Sequence, residues 1–304
     1  MTYIFDSLIP VFSLILIGYF FKKINFPSND FWSQADKLTY YILMPALLIF
    51  ELSNAKIDLK NSLEFVSSAL LAIVFTMFFL ILINKFKPIN VSSFTSVMQG
   101  GIRFNTYLFL ALAGSIFGKD GLILSAILLT FAIPFLNILC ITIFALYIKN
   151  EKLNFLYLIK SIITNPLIIS CFVGGSINFF AIELPIALNN TLAILSKGAL
   201  VLGLLSIGFA LVIKDINSFK YELGLSSLAK FVVLPIFIFI FGTYFELEIQ
   251  MISILVLFAI LPTAPSAFIL ARQLGGNISL MSSIITIQTL LSMIFIILFL
   301  KLFI

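Results

Sequence analysis

The sequence predicts an all-α polytopic membrane protein: ten transmembrane helices in two inverted five-helix repeats, with helices four and nine broken where they cross. Three observations predict it. The chain is 62% hydrophobic and only 10% charged over its 304 residues, against roughly 25% charged in an ordinary soluble domain. Its apolar residues fall into ten runs of about 20, the length that spans a bilayer. Two of those runs are interrupted, by Gln99-Gly100-Gly101-Ile102-Arg103-Phe104-Asn105 and by Leu261-Pro262-Thr263-Ala264-Pro265-Ser266. In lipid a broken helix persists only where protein or a water-lined cavity satisfies the freed backbone groups.

The spans run in order. Span one, Ile4 to Phe21, carries no Lys or Arg before its apolar run and no small-residue cleavage site after it, so it reads as a helix and not as a removed signal. Span two, Gln34 to Asn54, has a short charge-free core, Leu38 to Phe50, containing Pro45. Span three is Leu63 to Asn84, span four Val91 to Phe117 with the first interruption, and span five Gly121 to Ile148. Spans six to eight are Phe155 to Phe180, Thr191 to Ile213 and Leu223 to Tyr244. Span nine, Glu248 to Gln273, holds the second interruption, and span ten is Ser279 to Leu300. Proline at 45, 166 and 235 predicts kinks. The polar connections are short, so no soluble domain is expected.

Charge orients these spans. With the N-terminus outside, eleven basic residues fall on the cytoplasmic side (Lys22, Lys23, Lys37, Lys85, Lys87, Lys149, Lys152, Lys160, Lys214, Lys220 and Arg272) and four outside (Lys56, Lys60, Lys119 and Lys301). The positive-inside rule then puts both termini outside the cytoplasmic (inner) membrane. The net charge of +5 has this meaning and not nucleic-acid binding, because the basic residues are scattered among short loops.

Residues 1–150 and 151–304 look like two copies of one unit. Pro10 and Gly18 in span one match Pro166 and Gly174 in span six at an offset of 156. The turn Gly118-Lys119-Asp120-Gly121 and the later Gly275-Gly276-Asn277 lie at nearly the same offset, as do the two interruptions. Five spans cross the membrane an odd number of times, so the second copy is inserted upside down. Inverted repeats with discontinuous helices meeting near the midplane are a recurrent plan of secondary transporters.

At this point the residues carry a family resemblance. The run from Gln99 to Tyr107, Pro134-Phe135-Leu136-Asn137, Asn165-Pro166-Leu167, the stretch Leu261 to Ser266 continuing through Ala271 to Gly276, and Lys37 to Ala46 together resemble the auxin efflux carrier family along essentially the whole chain. The resemblance implies a fold related to the bile acid/sodium symporters and transport of carboxylate-bearing solutes. It also implies an elevator-like movement of helices 3, 4, 5, 8, 9 and 10 against a scaffold of helices 1, 2, 6 and 7, and a homodimer through that scaffold. One departure matters: plant auxin exporters have proline in both crossovers, whereas the first break here is Gly100-Gly101. The plant substrate is therefore not transferred.

Physical chemistry gives the same kind of site. The half-helices after Arg103 and after Pro265 both begin near the midplane, so two positive helix ends face one region. Arg103 adds a guanidinium whose planar fork matches a carboxylate. Gln99, Asn105, Thr263 and Ser266 supply polar groups beside the breaks, and Asn137 and Gln288 lie at similar depth in spans five and ten, with Thr289 and Ser292 near Gln288. Gly100, Gly101, Pro262 and Pro265 make the breaks. The plain alternative is that Arg103 only satisfies unwound carbonyls and that Asn137 and Gln288 only hold helices together. An intramembrane charge costs about 2.5–3.5 kcal/mol on insertion scales, which favours a functional Arg103. Arg272, Lys197 and Lys230 are expected to snorkel. Glu51 is the acidic residue nearest a span interior.

These features exclude several functions. There is no His, and Cys140 and Cys171 both lie in apolar runs, so no metal site, His relay or disulfide framework is expected. No cofactor is expected, and the coupling ion is left open between H⁺, Na⁺ and none. An enzyme lacks a nucleophile or metal constellation, and a scaffold or receptor leaves the breaks unexplained. The function expected is a carrier of small organic anions, with lipid and a small carboxylate as its partners; an anion channel using the same broken helices is the alternative.

Overall fold

The computed structural model describes residues 2–55, 59–149, 163–211 and 216–303. They are helical, with no strand among them. In chain order the α-helices are α1 (Thr2–Lys23), α2 (Asn29–Leu38), α3 (Met44–Ser53), α4 (Leu59–Phe86), α5 (Val91–Ile102) and α6 (Thr106–Phe144). They continue with α7 (Pro166–Phe179), α8 (Ile186–Ala210), α9 (Lys220–Leu228), α10 (Leu234–Tyr244), α11 (Ile249–Ala259), α12 (Ser266–Leu274) and α13 (Ile278–Phe303). Most of span six as read from the sequence lies outside the described residues until Pro166.

Stretches 62–86, 91–148, 186–210, 220–244 and 278–299 are long and apolar enough to cross a membrane, while α7 and α11 are shorter apolar helices. The second stretch has 58 residues, far more than the roughly 20 that one crossing needs. It folds back at Gly118, where φ is 63° and ψ is −145°. Only glycine adopts that region without strain, so the turn is written into this residue. The chain is a multi-pass membrane protein.

Prolines shape two spans differently from a simple kink. Pro45 and Pro235 each follow a π-helical turn, Thr39–Leu43 and Ala229–Val233. Proline offers no N–H, and its ring crowds the carbonyl four residues back. Widening the turn absorbs this: the N–H of Met44 bonds to the carbonyl of Thr39, and that of Leu234 to Ala229, one residue farther back than in an α-helix. Pro166 makes no kink. It stands at the start of α7, where a missing N–H costs nothing, and the Asn165 side chain caps the turn by accepting from Leu167 N at 3.0 Å.

The chain divides into two compact units, and each draws segments from both halves of the sequence. One comprises Met1–Ser62, Thr106–Ile133 and Ile159–Ala210; the other comprises Leu63–Asn105, Pro134–Leu158 and Leu211–Ile304. In the first, α8 packs along α1 and α3, and α3 packs on α7. Gly18 and Gly208 allow the α1–α8 approach, since a Cβ on either would run into the partner's backbone. Trp32 stacks on Phe209 with ring centroids 5.0 Å apart and donates from Nε1 to the carbonyl of Phe26 at 3.0 Å.

In the second unit α5 is buried along its length from Ser93 to Ile102. It packs on α9, α13 and the π turn at 229–233. Phe94, Val97 and Met98 of α5 join Leu280, Met281 and Ile284 of α13 and Ala267 and Ala271 of α12 in one apolar core. Asn277 ties this core at one end. Its N–H donates to the carbonyl of Ser92 at 3.0 Å, its side chain donates to Ser93 Oγ at 3.1 Å, and its Oδ1 caps α13 by accepting from Leu280 N.

Candidate functional site

Both sequence interruptions fall in the second unit, and each is a real stop in the helix. After Ile102 the backbone of Arg103 turns extended, φ −78° and ψ 153°, and helix resumes at Thr106. After Ala259 the chain runs without helix until Ser266. A helix end leaves carbonyls without partners, and a buried end must find them elsewhere.

Side chains supply those partners. The carbonyl of Gly100 accepts from Nε2 of Gln288 at 2.9 Å, and Oε1 of the same amide accepts from the N–H of Thr263 at 3.0 Å. The Thr263 hydroxyl lies 2.7 Å from Gln288 Oε1 and 3.1 Å from the Gly100 carbonyl, with one proton to give to either. Gln288 and Thr263 are both fully buried. One amide therefore fastens the first interruption to the second, and its groups are committed to backbone. Thr289 and Ser292, near it on α13, bond instead to carbonyls of Ile285 and Thr289 in their own helix.

The glycines serve packing. A Cβ on Gly100 would lie 2.9 Å from Ile284 and 3.0 Å from Ser226, and one on Gly101 would lie 2.7 Å from Leu80 and 3.2 Å from Ala229. Absence of side chains there lets α4, α9 and α13 close around the end of α5. In the fold the neighbours of these glycines are helices.

Arg103 is the polar centre of the site. It is half-buried, and donates from one terminal nitrogen to Oδ1 of Asn137 at 3.2 Å and from the other to Oγ of Ser266 at 3.3 Å. Cys140, one turn beyond Asn137, also lies beside the guanidinium. Asn137 is half-buried on the second arm of α6, and Ser266 is exposed as the first residue of α12. The cation is thus held between the two interruptions by neutral oxygens, which orient it without cancelling its charge. Its backbone N–H closes α5 by bonding to the Gln99 carbonyl at 2.9 Å.

Gln99 and Asn105 flank Arg103 and are each 1% exposed. Gln99 directs Nε2 toward the sulfur of Met281 at 3.8 Å, and its Oε1 has no hydrogen-bond donor among the described residues. Pro262 is buried and Pro265 half-buried in the second interruption. Phe104, between Arg103 and Asn105, packs edge-on against Phe258 near the end of α11, centroids 4.5 Å apart.

The basic residues elsewhere divide. Lys197 is exposed, and Arg272 is exposed over the ring of Phe268, as snorkelling requires. Lys230 departs from that expectation. It is fully buried in the π turn, its Nζ has no acceptor among the described residues, and it lies over the Phe258 ring at 5.6 Å. The sequence signal was present, a lysine in an apolar run five residues before a proline, but depth along a span does not say which way a side chain faces. Glu51 is buried near the end of α3. No group of His, Cys, Asp or Glu among the described residues could hold a metal ion.

Interrupted helices stitched together by side chains, in a chain made of membrane spans, follow a plan recurrent in membrane transport proteins, and known proteins point to a transporter and not an enzyme. Comparison with known proteins places it: the family described as "Membrane transport protein" matches residues 3–300, and the chain belongs to that family, the auxin efflux carriers that its motifs resemble. A relative from Rhizobium meliloti (strain 1021), described as "Putative malonate transporter", is 25% identical over 312 residues, covering 96% of this chain and 93% of the relative.

Proposed function

We propose that this chain is a secondary carrier of small organic anions, carboxylates above all, across the cytoplasmic membrane. One observation carries the reading: Arg103 stands between the two helix interruptions with its charge oriented by Asn137 and Ser266 and cancelled by neither. A guanidinium has five N–H donors in a plane, so donors remain for a bidentate carboxylate after these two bonds. The N-terminal end of α12, in the same unit as Arg103, favours negative charge beside Ser266. In this reading Ser266, Asn105 and Gln99 complete the solute's polar contacts, Asn137 positions Arg103, and Thr263 and Gln288 hold the breaks in shape.

The mechanism we propose is alternating access in which the unit bearing Arg103 moves and the other stays with the bilayer. Inverted five-helix repeats, with both termini outside, supply the symmetry that such a movement uses. The relative's printed substrate, a dicarboxylate, names the first solute to try. Uptake of labelled malonate and succinate into proteoliposomes tests the proposal. A carrier gives saturable uptake that unlabelled solute on the far side accelerates; non-saturating anion conductance would make the protein a channel, and absence of any carboxylate flux would remove the solute class.

A further inference from the structure

Lys230 carries a fully buried amine that the anion site does not use. Three features of its surroundings bear on what it does. It sits in a π turn, an element that is rare and frequent at functional sites. Its Nζ meets no acceptor among the described residues and lies over the face of Phe258. And Phe258 in turn packs on Phe104, the residue that follows Arg103. A chain of two rings thus joins the amine of Lys230 to the first interruption. Ala229, its neighbour in the π turn, closes on Gly101 at the end of α5.

Among the described residues no carboxylate answers it. Of the elements packed around the turn, α5 and α11 contain no ionisable residue at all, and α13 contains only Lys301 near its far end. In α4 the ionisable residues are Lys60, Glu64 and Lys85, all toward its ends. Within its own span Lys220, Tyr221 and Glu222 lie more than two turns before it in sequence, and Tyr244 about four turns after. Arg103, across the two rings, is the remaining charge of the site, and it has the same sign. An ammonium sealed from water without an acceptor is costly, and in a medium of low dielectric a second cation nearby raises that cost while an anion lowers it.

We propose that Lys230 binds a proton together with the solute, so that the carrier couples anion movement to H⁺. With the site empty, Arg103 carries the positive charge and Lys230 is an amine. When the solute's carboxylate pairs with Arg103, the repulsion is cancelled, and the lone pair of Nζ takes a proton from the aqueous phase that delivered the solute. Solute and proton then cross in one movement, and Nζ returns the proton to water on the far side as the anion leaves. The inference rests on the carboxylate reading of Arg103 and adds the coupling ion to it.

Two measurements on the full-length protein test this. In the first, malonate is added to purified protein in weakly buffered detergent solution, at a pH where malonate is fully ionised, and a pH-indicating dye reports protons removed from solution. About one proton should disappear per malonate bound to wild type, and none for Lys230→Met. Malonate binding by wild type without proton uptake overturns the role of Lys230 and leaves the anion site standing, whereas failure to bind any carboxylate overturns both. In the second, proteoliposomes with an acidic exterior should accumulate labelled malonate several-fold above equilibrium, and an uncoupler should abolish the accumulation. Lys230→Met should retain solute exchange and lose that accumulation. A Lys230→Met protein that still accumulates malonate against its gradient contradicts the proposal, and the wild-type proton measurement decides the question if the variant does not fold.

Discussion

Gln288 and Gly100 are 188 positions apart in sequence, and the amide of one donates to the carbonyl of the other at 2.9 Å. Because the same amide accepts from Thr263 N, it satisfies a freed backbone group on each broken helix. Gln288→Leu keeps the bulk and removes both bonds; the Thr263 hydroxyl, 3.1 Å from the Gly100 carbonyl, then serves that oxygen, and the buried N–H of Thr263 is left unpaired at ~1–3 kcal/mol. The melting temperature of the detergent-purified variant should fall clearly, and unchanged stability would show that water already serves that group.

Gly118 and Gly175 form a matched pair for testing the turn in the long helical stretch. Neither has a heavy atom within 4 Å of where a Cβ would go, but Gly118 has φ +63° and Gly175 is helical. Gly118→Ala should destabilise by about 1–3 kcal/mol through backbone strain alone. Gly175→Ala should be neutral or stabilising by roughly 0.5–1 kcal/mol, because alanine suits a helix interior better than glycine. Thermal denaturation of the two variants side by side reads the difference, and equal effects would count against the turn.

Packing at the end of α5 makes a third prediction. The Cβ of Gly101→Val would meet Leu80 and Ala229 at 2.7 and 3.2 Å before its methyl groups are counted. Overpacking of a filled core costs typically ~1–3 kcal/mol. The variant should express less and melt earlier, whereas wild-type stability would mean that α4 and the π turn shift freely.

The sequence-derived orientation is testable in the same material. In a background with Cys140 and Cys171 replaced, a single cysteine at exposed Asn25 should react only from the cytoplasm, and one at exposed Lys119 only from outside. Labelling of both from one side would break the topology and the inverted repeat with it.

Much of this was legible in the chain because membrane physics is severe. The interruptions at 103 and 262 and the turn at Gly118 could be read from residue type alone, since lipid tolerates neither loose backbone nor arbitrary glycine conformations. Arg103 stands out in the sequence for the same reason: charge inside a bilayer is costly. Less could be read where partners are distant in sequence. That Gln288 spends its amide on Gly100 and Thr263, or that Lys230 turns inward to Phe258 while Lys197 turns outward, depends on which helices lie side by side. Proline at 45 and 235 predicts a kink, and the fold widens the preceding turn instead, because both solve the same steric problem.

The central claim is that Arg103 binds the solute's carboxylate, and ligand affinity measured on the folded fraction of purified Arg103→Gln tests it most directly. Losing a charged hydrogen-bond donor should weaken malonate or succinate binding by at least ~1.5–3 kcal/mol, roughly ten- to a hundredfold. Arg103→Lys should fall between, keeping charge without the planar fork, and a neutral amide analogue of the solute should be far less sensitive to either change. Wild-type carboxylate affinity in folded Arg103→Gln would contradict the account and leave Arg103 only a structural bond to Asn137 and Ser266.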